Sequence, residues 1–150
     1  MSNATLALLI GGLLPALCFG LSGAVQKVAA KSGIGTGPYL VVVGLVVVAV
    51  GAAVTAVERD ATLTRPGAGY AALFGLLWAT GVGAIAVALG RYDGQISQLV
   101  PLYNMNTLVA VVAGLVALGE WQTVQPGRLL LATMFIIGGG VLAATAARAP

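Results

Sequence analysis

Residue types that build metal centres and catalytic sites are scarce in this chain of 150 residues. It contains no histidine, and its single cysteine, Cys18, lies within an apolar run. A single cysteine excludes an intrachain disulfide, and the lack of histidine excludes the usual zinc sites. The few carboxylates are scattered and no phosphate-binding glycine loop is present, so no catalytic constellation can be assembled. The sequence therefore predicts no enzyme, no metal site and no cofactor.

Charge is also scarce. Only 7% of the residues are charged, whereas soluble domains carry about 25%. Hydrophobic residues make up 59% of the chain, which is more than a soluble fold of this length could bury. The net charge of +3 comes from residues between the apolar runs, so it indicates loops beside lipid and not a nucleic-acid surface. We therefore expect a multi-pass protein of the cell membrane (inner or plasma), in contact with lipid and not with nucleic acid.

The uncharged runs are long enough to cross a bilayer, which takes roughly 20 apolar residues with a range of about 17–25. These runs are 1–26, 32–57, 66–90, 94–119 and 129–147. They predict an all-α bundle of five transmembrane helices in a single domain, residues 1–150. The expected helices cover roughly 5–28, 38–57, 70–90, 96–118 and 128–147.

The fourth apolar run differs from the others because it carries many polar side chains. Polar groups are costly in hydrocarbon and usually face a bundle interior or a water-filled cavity. We therefore predict a substrate site formed by Gln98, Tyr103, Asn104 and Asn106, with Trp78 of the third helix beside them. The alternative for the helix-4 residues is structural, since an interhelical hydrogen bond in lipid stabilises by about 0.6–2 kcal/mol. The alternative for Trp78 is ordinary helix packing.

Prolines and glycines inside the runs indicate where helices bend and where they pack. Proline removes a backbone hydrogen bond and kinks a helix, so Pro15 and Pro101 are predicted helix breaks that take part in gating. Small residues let two helices approach closely. The predicted packing positions are Gly20, Gly75, Gly83 and Gly139.

Charged residues near the helix ends are expected to be interfacial. Lys27 is predicted to extend to the membrane interface, with a substrate contact as the alternative. Glu120 lies beside Trp121, where the interfacial aromatic belt is expected. It is predicted to pair with a loop arginine or to bond backbone amides. Arg91 and Asp93 are close enough in sequence to pair with each other.

Basic residues are shared almost equally between the two sides of a five-helix chain. One side receives Arg59, Arg65 and Arg128, and the other receives Lys27, Lys31, Arg91 and Arg148. A protein with one orientation normally shows a clear excess on the cytoplasmic side, so the near-tie predicts insertion in both orientations. Two antiparallel copies would form an inverted-repeat transporter with its site at their interface, near the bilayer midplane. The alternative is that such small counts mislead and the chain has one orientation.

Short motifs follow one another along nearly the whole chain: Phe19-Gly20 with Lys27, Ala88-Leu89, Pro101-Leu102, Leu118-Gly119-Glu120, Thr123 and Gln125, and Gly140-Val141. In this order they resemble one half of an EamA-type member of the drug/metabolite transporter superfamily. The usual member has ten helices in two halves of opposite orientation, so the resemblance implies a five-helix half-unit that dimerises. Two departures stand out. The segment from Glu120 to Gly140 is about one helical turn longer than is usual in the family. The first helix also lacks the buried glutamate with which the related small multidrug transporters exchange protons for cationic drugs.

These observations predict an alternating-access transporter of a small polar neutral or zwitterionic metabolite, acting as an antiparallel homodimer. Two other functions stay open. One is a non-transporting membrane scaffold, or a half-unit that pairs with a different chain. The other is an exporter of hydrophobic cations, which the missing buried carboxylate disfavours.

Overall fold

The computed structural model describes residues 2–146, and within that range all regular structure is helical. Five of its helices are long and apolar enough to cross a membrane. They are α1 (Thr5–Lys31), α2 (Thr36–Glu58), α3 (Arg65–Arg91), α4 (Ile96–Val116) and α5 (Pro126–Ala144). By length and composition, these helices are compatible with a multi-pass membrane protein.

The third helix begins about one turn earlier than hydropathy predicts, because capping residues decide its start. The Thr64 side chain accepts a hydrogen bond from the Gly67 N–H at 3.2 Å, which satisfies one of the unpaired donors at a helix start. Pro66 occupies the first turn, where its missing N–H costs nothing. Arg65 thus belongs to the helix although it lies outside the apolar run.

Other helix ends also differ from the predicted ones. The first helix continues to Lys31, and the chain then turns at Gly33, whose φ of +82° suits glycine. The last helix begins at Pro126, again a proline in the first turn, and ends at Ala144. Its predicted end, residue 147, lies outside the described residues.

The first helix contains one irregular turn. Residues Leu9–Leu13 are π-helical, and the Leu14 N–H bonds to the Leu9 carbonyl, one residue further back than in an α-helix. Pro15 follows directly after this turn, at the start of the long α-helical part Leu14–Lys31. The proline predicted to break α1 therefore adjoins a local change in helical winding.

The fourth helix is interrupted between two segments, Ile96–Tyr103 and Asn106–Val116. The Met105 N–H bonds to the Leu102 carbonyl at 3.2 Å, whereas an α-helix would use the Pro101 carbonyl. Pro101 itself lies inside the first segment, so the interruption follows the proline and does not coincide with it.

Hydrogen bonds that reach three residues back mark where this interruption falls. The Asn104 carbonyl accepts hydrogen bonds from the Thr107 N–H at 3.0 Å and from the Thr107 hydroxyl at 2.8 Å. Asparagine and threonine side chains compete with helical hydrogen bonding and favour turns. The Leu108 N–H also bonds three residues back, to the Met105 carbonyl, so the helix resumes through a tighter turn.

The chain divides into two compact units. The first comprises the described parts of Met1–Gly23 and Gly94–Pro150. In it, α5 packs against both segments of α4. The two helices approach closely at Gly140, where an added Cβ would lie 2.7 Å from the Pro101 carbonyl oxygen. Thr133 lies on the same face of α5, is 1% exposed and donates its hydroxyl to the Leu129 carbonyl.

The second unit, Ala24–Asp93, joins the end of α1 to α2 and α3. The Gln26 side chain is 8% exposed, and its amide nitrogen donates to the Val82 carbonyl of α3 at 3.1 Å. One residue further on, Gly83 faces α2, where an added Cβ would lie 3.3 Å from Leu40 Cδ1. Ala86 and Leu89 continue this buried side of α3.

Candidate functional site

Four of the five predicted substrate-binding residues lie on α4, around its interruption. Asn104 and Asn106 flank Met105 and are exposed, while Gln98 and Tyr103 are half-buried. Polar side chains and non-α-helical backbone bonding therefore occur at the same point of an otherwise apolar helix. Chemically, this point offers neutral donors and acceptors for a polar ligand.

The fifth predicted residue, Trp78, belongs to the other unit. It lies on α3 and its side chain is 37% exposed. Its participation in the same site as the α4 residues stays a prediction.

The predicted packing glycines fall into two groups. Gly83 contacts α2 through Leu40, as described above. Gly20, Gly75 and Gly139 have no described side chain or neighbouring backbone within 4 Å of an added Cβ. Within their own units, these three positions are open.

Sequence reasoning missed two glycines that contact another helix of the first unit. Gly23 lies against Val100, 3.3 Å from an added Cβ, and Gly140 lies against Pro101. Spacing alone could not choose Gly140 from a run of three consecutive glycines, since only the neighbouring helix distinguishes them.

The lysine predicted to be interfacial forms an ion pair. Lys27 Nζ lies 3.4 Å from Asp93 Oδ1, with the lysine side chain 14% exposed and the aspartate 94% exposed. Asp93 is in the left-handed region with φ 50°, just after α3 ends. The expected pairing of Arg91 with Asp93 is wrong, because among the described residues Arg91 forms no ion pair.

Glu120 lies after the left-handed turn at Gly119, which has φ 70°. Its carboxylate folds back over the last turns of α4, where an added Cβ on Gly114 would lie 2.6 Å from Glu120 Oε2. No loop arginine pairs with it within the part of the chain that the structure describes. The glycine provides the space that the carboxylate occupies.

A different carboxyl group, Asp60, lies in the loop after α2. The hydroxyl and the backbone N–H of Thr62 hydrogen-bond to it and hold the pKa of that carboxyl below its ordinary value. Asp60 is fully exposed, so it stabilises a solvated turn and is not part of a site.

A cavity of about 210 Å³ opens in the second unit, where α1 ends, α2 begins and α3 ends. Its polar lining residues are Gln26, Thr36, Tyr39 and Arg91. Its other lining residues are small or apolar: Ala30, Gly33, Ile34, Gly35, Ala86 and Gly90. Sequence reasoning missed this cavity because three separate segments build it and none of them carries a recognisable motif.

Among the described residues no group of three or more His, Cys, Asp or Glu side chains could hold a metal ion. Comparisons with protein-family models, curated proteins and solved structures give no match to this chain.

Proposed function

We propose that the protein is a five-helix half-unit of a membrane transporter, similar to the EamA-type halves, which works by alternating access as an antiparallel homodimer. Its substrate is a small polar neutral or zwitterionic metabolite. The observation that carries the proposal is the interruption of α4, where Asn104 and Asn106 flank a break in an apolar helix. Discontinuous helices of this kind form substrate sites in transporters, because irregular backbone at membrane depth must line a cavity or be buried in protein.

The chemistry at the interruption supports an uncharged or internally balanced substrate. Gln98, Tyr103, Asn104 and Asn106 supply amide and hydroxyl groups, and no residue of α4 is charged. A hydrophobic cation would require a buried negative charge to offset its desolvation. Hydrogen-bonding groups without charge fit amides, hydroxyls and zwitterions better.

The exposure of the polar α4 side chains on a single subunit supports dimerisation with a second copy of the chain. Asn104 and Asn106 are exposed, and α2 buries none of its residues. Lipid can cover the apolar surface of α2, but amides in hydrocarbon need a polar partner or water. A second subunit would cover the interruption of α4, and the open faces at Gly20, Gly75 and Gly139 would admit its helices.

Transport in proteoliposomes tests this function. Replacing both asparagines, Asn104→Ala and Asn106→Ala, should abolish uptake of a panel of labelled neutral and zwitterionic metabolites while the dimer stays intact. The matched control is Thr80→Ala, which removes an exposed hydroxyl that bonds only within its own helix, to the Leu76 carbonyl at 2.7 Å. Uptake should be unchanged in the control.

Two results would overturn the proposal. One is a double variant that transports as fast as the wild type. The other is a wild-type protein that transports nothing from the panel and purifies with a water-free subunit interface, which would instead support a membrane scaffold. A wild type that is active only together with another chain would replace the homodimer by a heterodimer.

A further inference from the structure

We propose that the cavity of the second unit binds a small organic oxyanion, a carboxylate or phosphate group that also carries an O–H or N–H donor. Arg91 would hold the anion, and Gln26 would accept from the donor. The site lies wholly within Ala24–Asp93 and shares no residue with the interruption of α4. It therefore does not depend on the proposed transport function.

The charge of the lining favours an anion. Arg91 is the one charged residue among those that line the cavity. The nearby carboxylate, Asp93, is already engaged by Lys27 at 3.4 Å. Within the described chain Arg91 has no acidic partner. A guanidinium binds carboxylate and phosphate oxygens through two parallel hydrogen bonds, so Arg91 is well suited to bind the anion.

The start of α2 adds further positive potential to the same cavity. Gly35, which precedes the helix, provides no side-chain cap, and both Gly35 and Thr36 line the cavity. The N–H groups of a first helical turn have no partner within the helix and favour anions. The Tyr39 side chain lies in the same lining and supplies a hydroxyl donor.

Gln26 supplies the complementary group. Its amide nitrogen is engaged by the Val82 carbonyl at 3.1 Å. Every fully buried side-chain nitrogen or oxygen of the described residues has a hydrogen-bond partner. No donor to the Gln26 Oε1 is found in that part of the chain, so this oxygen is not fully buried, and the cavity that Gln26 lines is where we propose that a ligand reaches it. An oxygen acceptor at this position selects a ligand that carries an O–H or N–H donor beside its anionic group.

The volume sets the size of the ligand. A water molecule takes about 30 Å³ in the liquid, so a cavity of about 210 Å³ has room for a molecule of several heavy atoms. A hydroxy acid or an amino acid of two to four carbons combines the required groups at about this size, and so does the glycerol-phosphate headgroup of an anionic lipid. The second source is realistic because the cavity lies at the ends of three candidate membrane spans.

Calorimetric titration of the purified full chain in neutral detergent tests the site with two matched probes, lactate and propionate. They differ by the hydroxyl group that Gln26 would recognise. Lactate should bind saturably and more tightly than propionate. Arg91→Gln should weaken lactate binding by about tenfold or more, as expected for a lost charge-assisted hydrogen bond. The control Arg65→Gln removes an exposed arginine from the other end of α3 and should leave the affinity unchanged.

Further variants keep the test decisive if Arg91→Gln fails to fold. Arg91→Lys keeps the cation and should retain binding with reduced affinity. Gln26→Met should bring lactate and propionate to equal affinity. If soluble anions fail, native mass spectrometry should show wild type retaining phosphatidylglycerol over phosphatidylcholine, and Arg91→Gln losing that preference. Equal lactate affinity in wild type and Arg91→Gln overturns the proposal, and so does a wild type that binds neither lactate nor phosphatidylglycerol.

Discussion

At Gly140 a single hydrogen atom in place of a side chain decides how closely two helices pack. The Pro101 carbonyl oxygen occupies the space that a Cβ would need, at 2.7 Å. Both groups belong to the backbone, so neither can move aside by a side-chain rotation. At Gly114, by contrast, the obstructing atom is the mobile carboxylate of Glu120. The two glycines therefore have different tolerance for substitution.

Gly140→Ala should destabilise the protein, because overpacking a tight contact costs typically about 1–3 kcal/mol. The matched control is Gly138→Ala, where no described atom outside its own helix lies within 4 Å of the added Cβ. Alanine is a better helix former than glycine by about 1 kcal/mol, so the control should melt at the same or a higher temperature. Thermal unfolding in detergent measures both. A Gly140→Ala protein as stable as Gly138→Ala would show that α4 and α5 do not pack closely at Gly140.

Residue identity alone locates the polar side chains of α4, but it does not predict which distant residues contact each other. The four polar residues of α4 stand out in the sequence because their neighbours are apolar. Nothing in the sequence indicates that Asp93 pairs with Lys27 and not with Arg91, since Lys27 is 66 residues away along the chain. Partners far apart in the chain are set by the fold and not by local spacing.

At the scale of the helices, the sequence predicts which segments are helical but misplaces their first and last residues. Length and hydropathy identify the five apolar helices, because crossing a bilayer imposes a minimum run. The ends follow caps and turn residues such as Thr64 and Gly119, which hydropathy does not register. Likewise, Pro101 predicts a break in α4, but the rearranged backbone bonds lie a few residues later, at residues 104–108.

The interruption of α4 should be visible in hydrogen exchange. Amides of residues 103–107 should exchange faster than those of residues 43–50 in α2, when the protein is held in lipid nanodiscs. The reason is that the Met105 and Leu108 N–H groups bond three residues back and are flanked by the exposed side chains of Asn104 and Asn106, whereas α2 is a continuous apolar helix. Mass spectrometry of peptides from both segments measures this. Equal protection of the two segments would mean that α4 behaves as an uninterrupted helix.

For the whole molecule, the near-equal number of basic residues on the two sides of the membrane has the widest consequence, because it bears on the orientation of the chain. Two loops report orientation independently, the one between α2 and α3 and the one between α3 and α4, because they lie at opposite ends of α3. A chain with a single orientation exposes only one of them to the outside. A chain inserted both ways exposes both in the population.

Cysteine labelling distinguishes these cases, since Cys18 is the single native thiol and can be replaced by serine. In the Cys18→Ser background, Ala61→Cys and Tyr92→Cys place a thiol in each loop at exposed positions. We expect an impermeant maleimide added to intact cells to label about half of each variant, because the charge bias is nearly absent. Permeabilised cells provide the reference for full labelling. Labelling of one variant and not of the other would establish a single orientation and remove the antiparallel homodimer.

The hydrogen bond from Gln26 to Val82 spans 56 residues of chain. A ribosome therefore produces the glutamine long before its acceptor exists. In hydrocarbon an amide without a hydrogen-bond partner costs several kcal/mol. We therefore expect the nascent first helix to stay beside the insertion machinery until the third helix emerges. Insertion of the first three helices would then be coupled, with the first helix released into lipid only after Val82 has been translated.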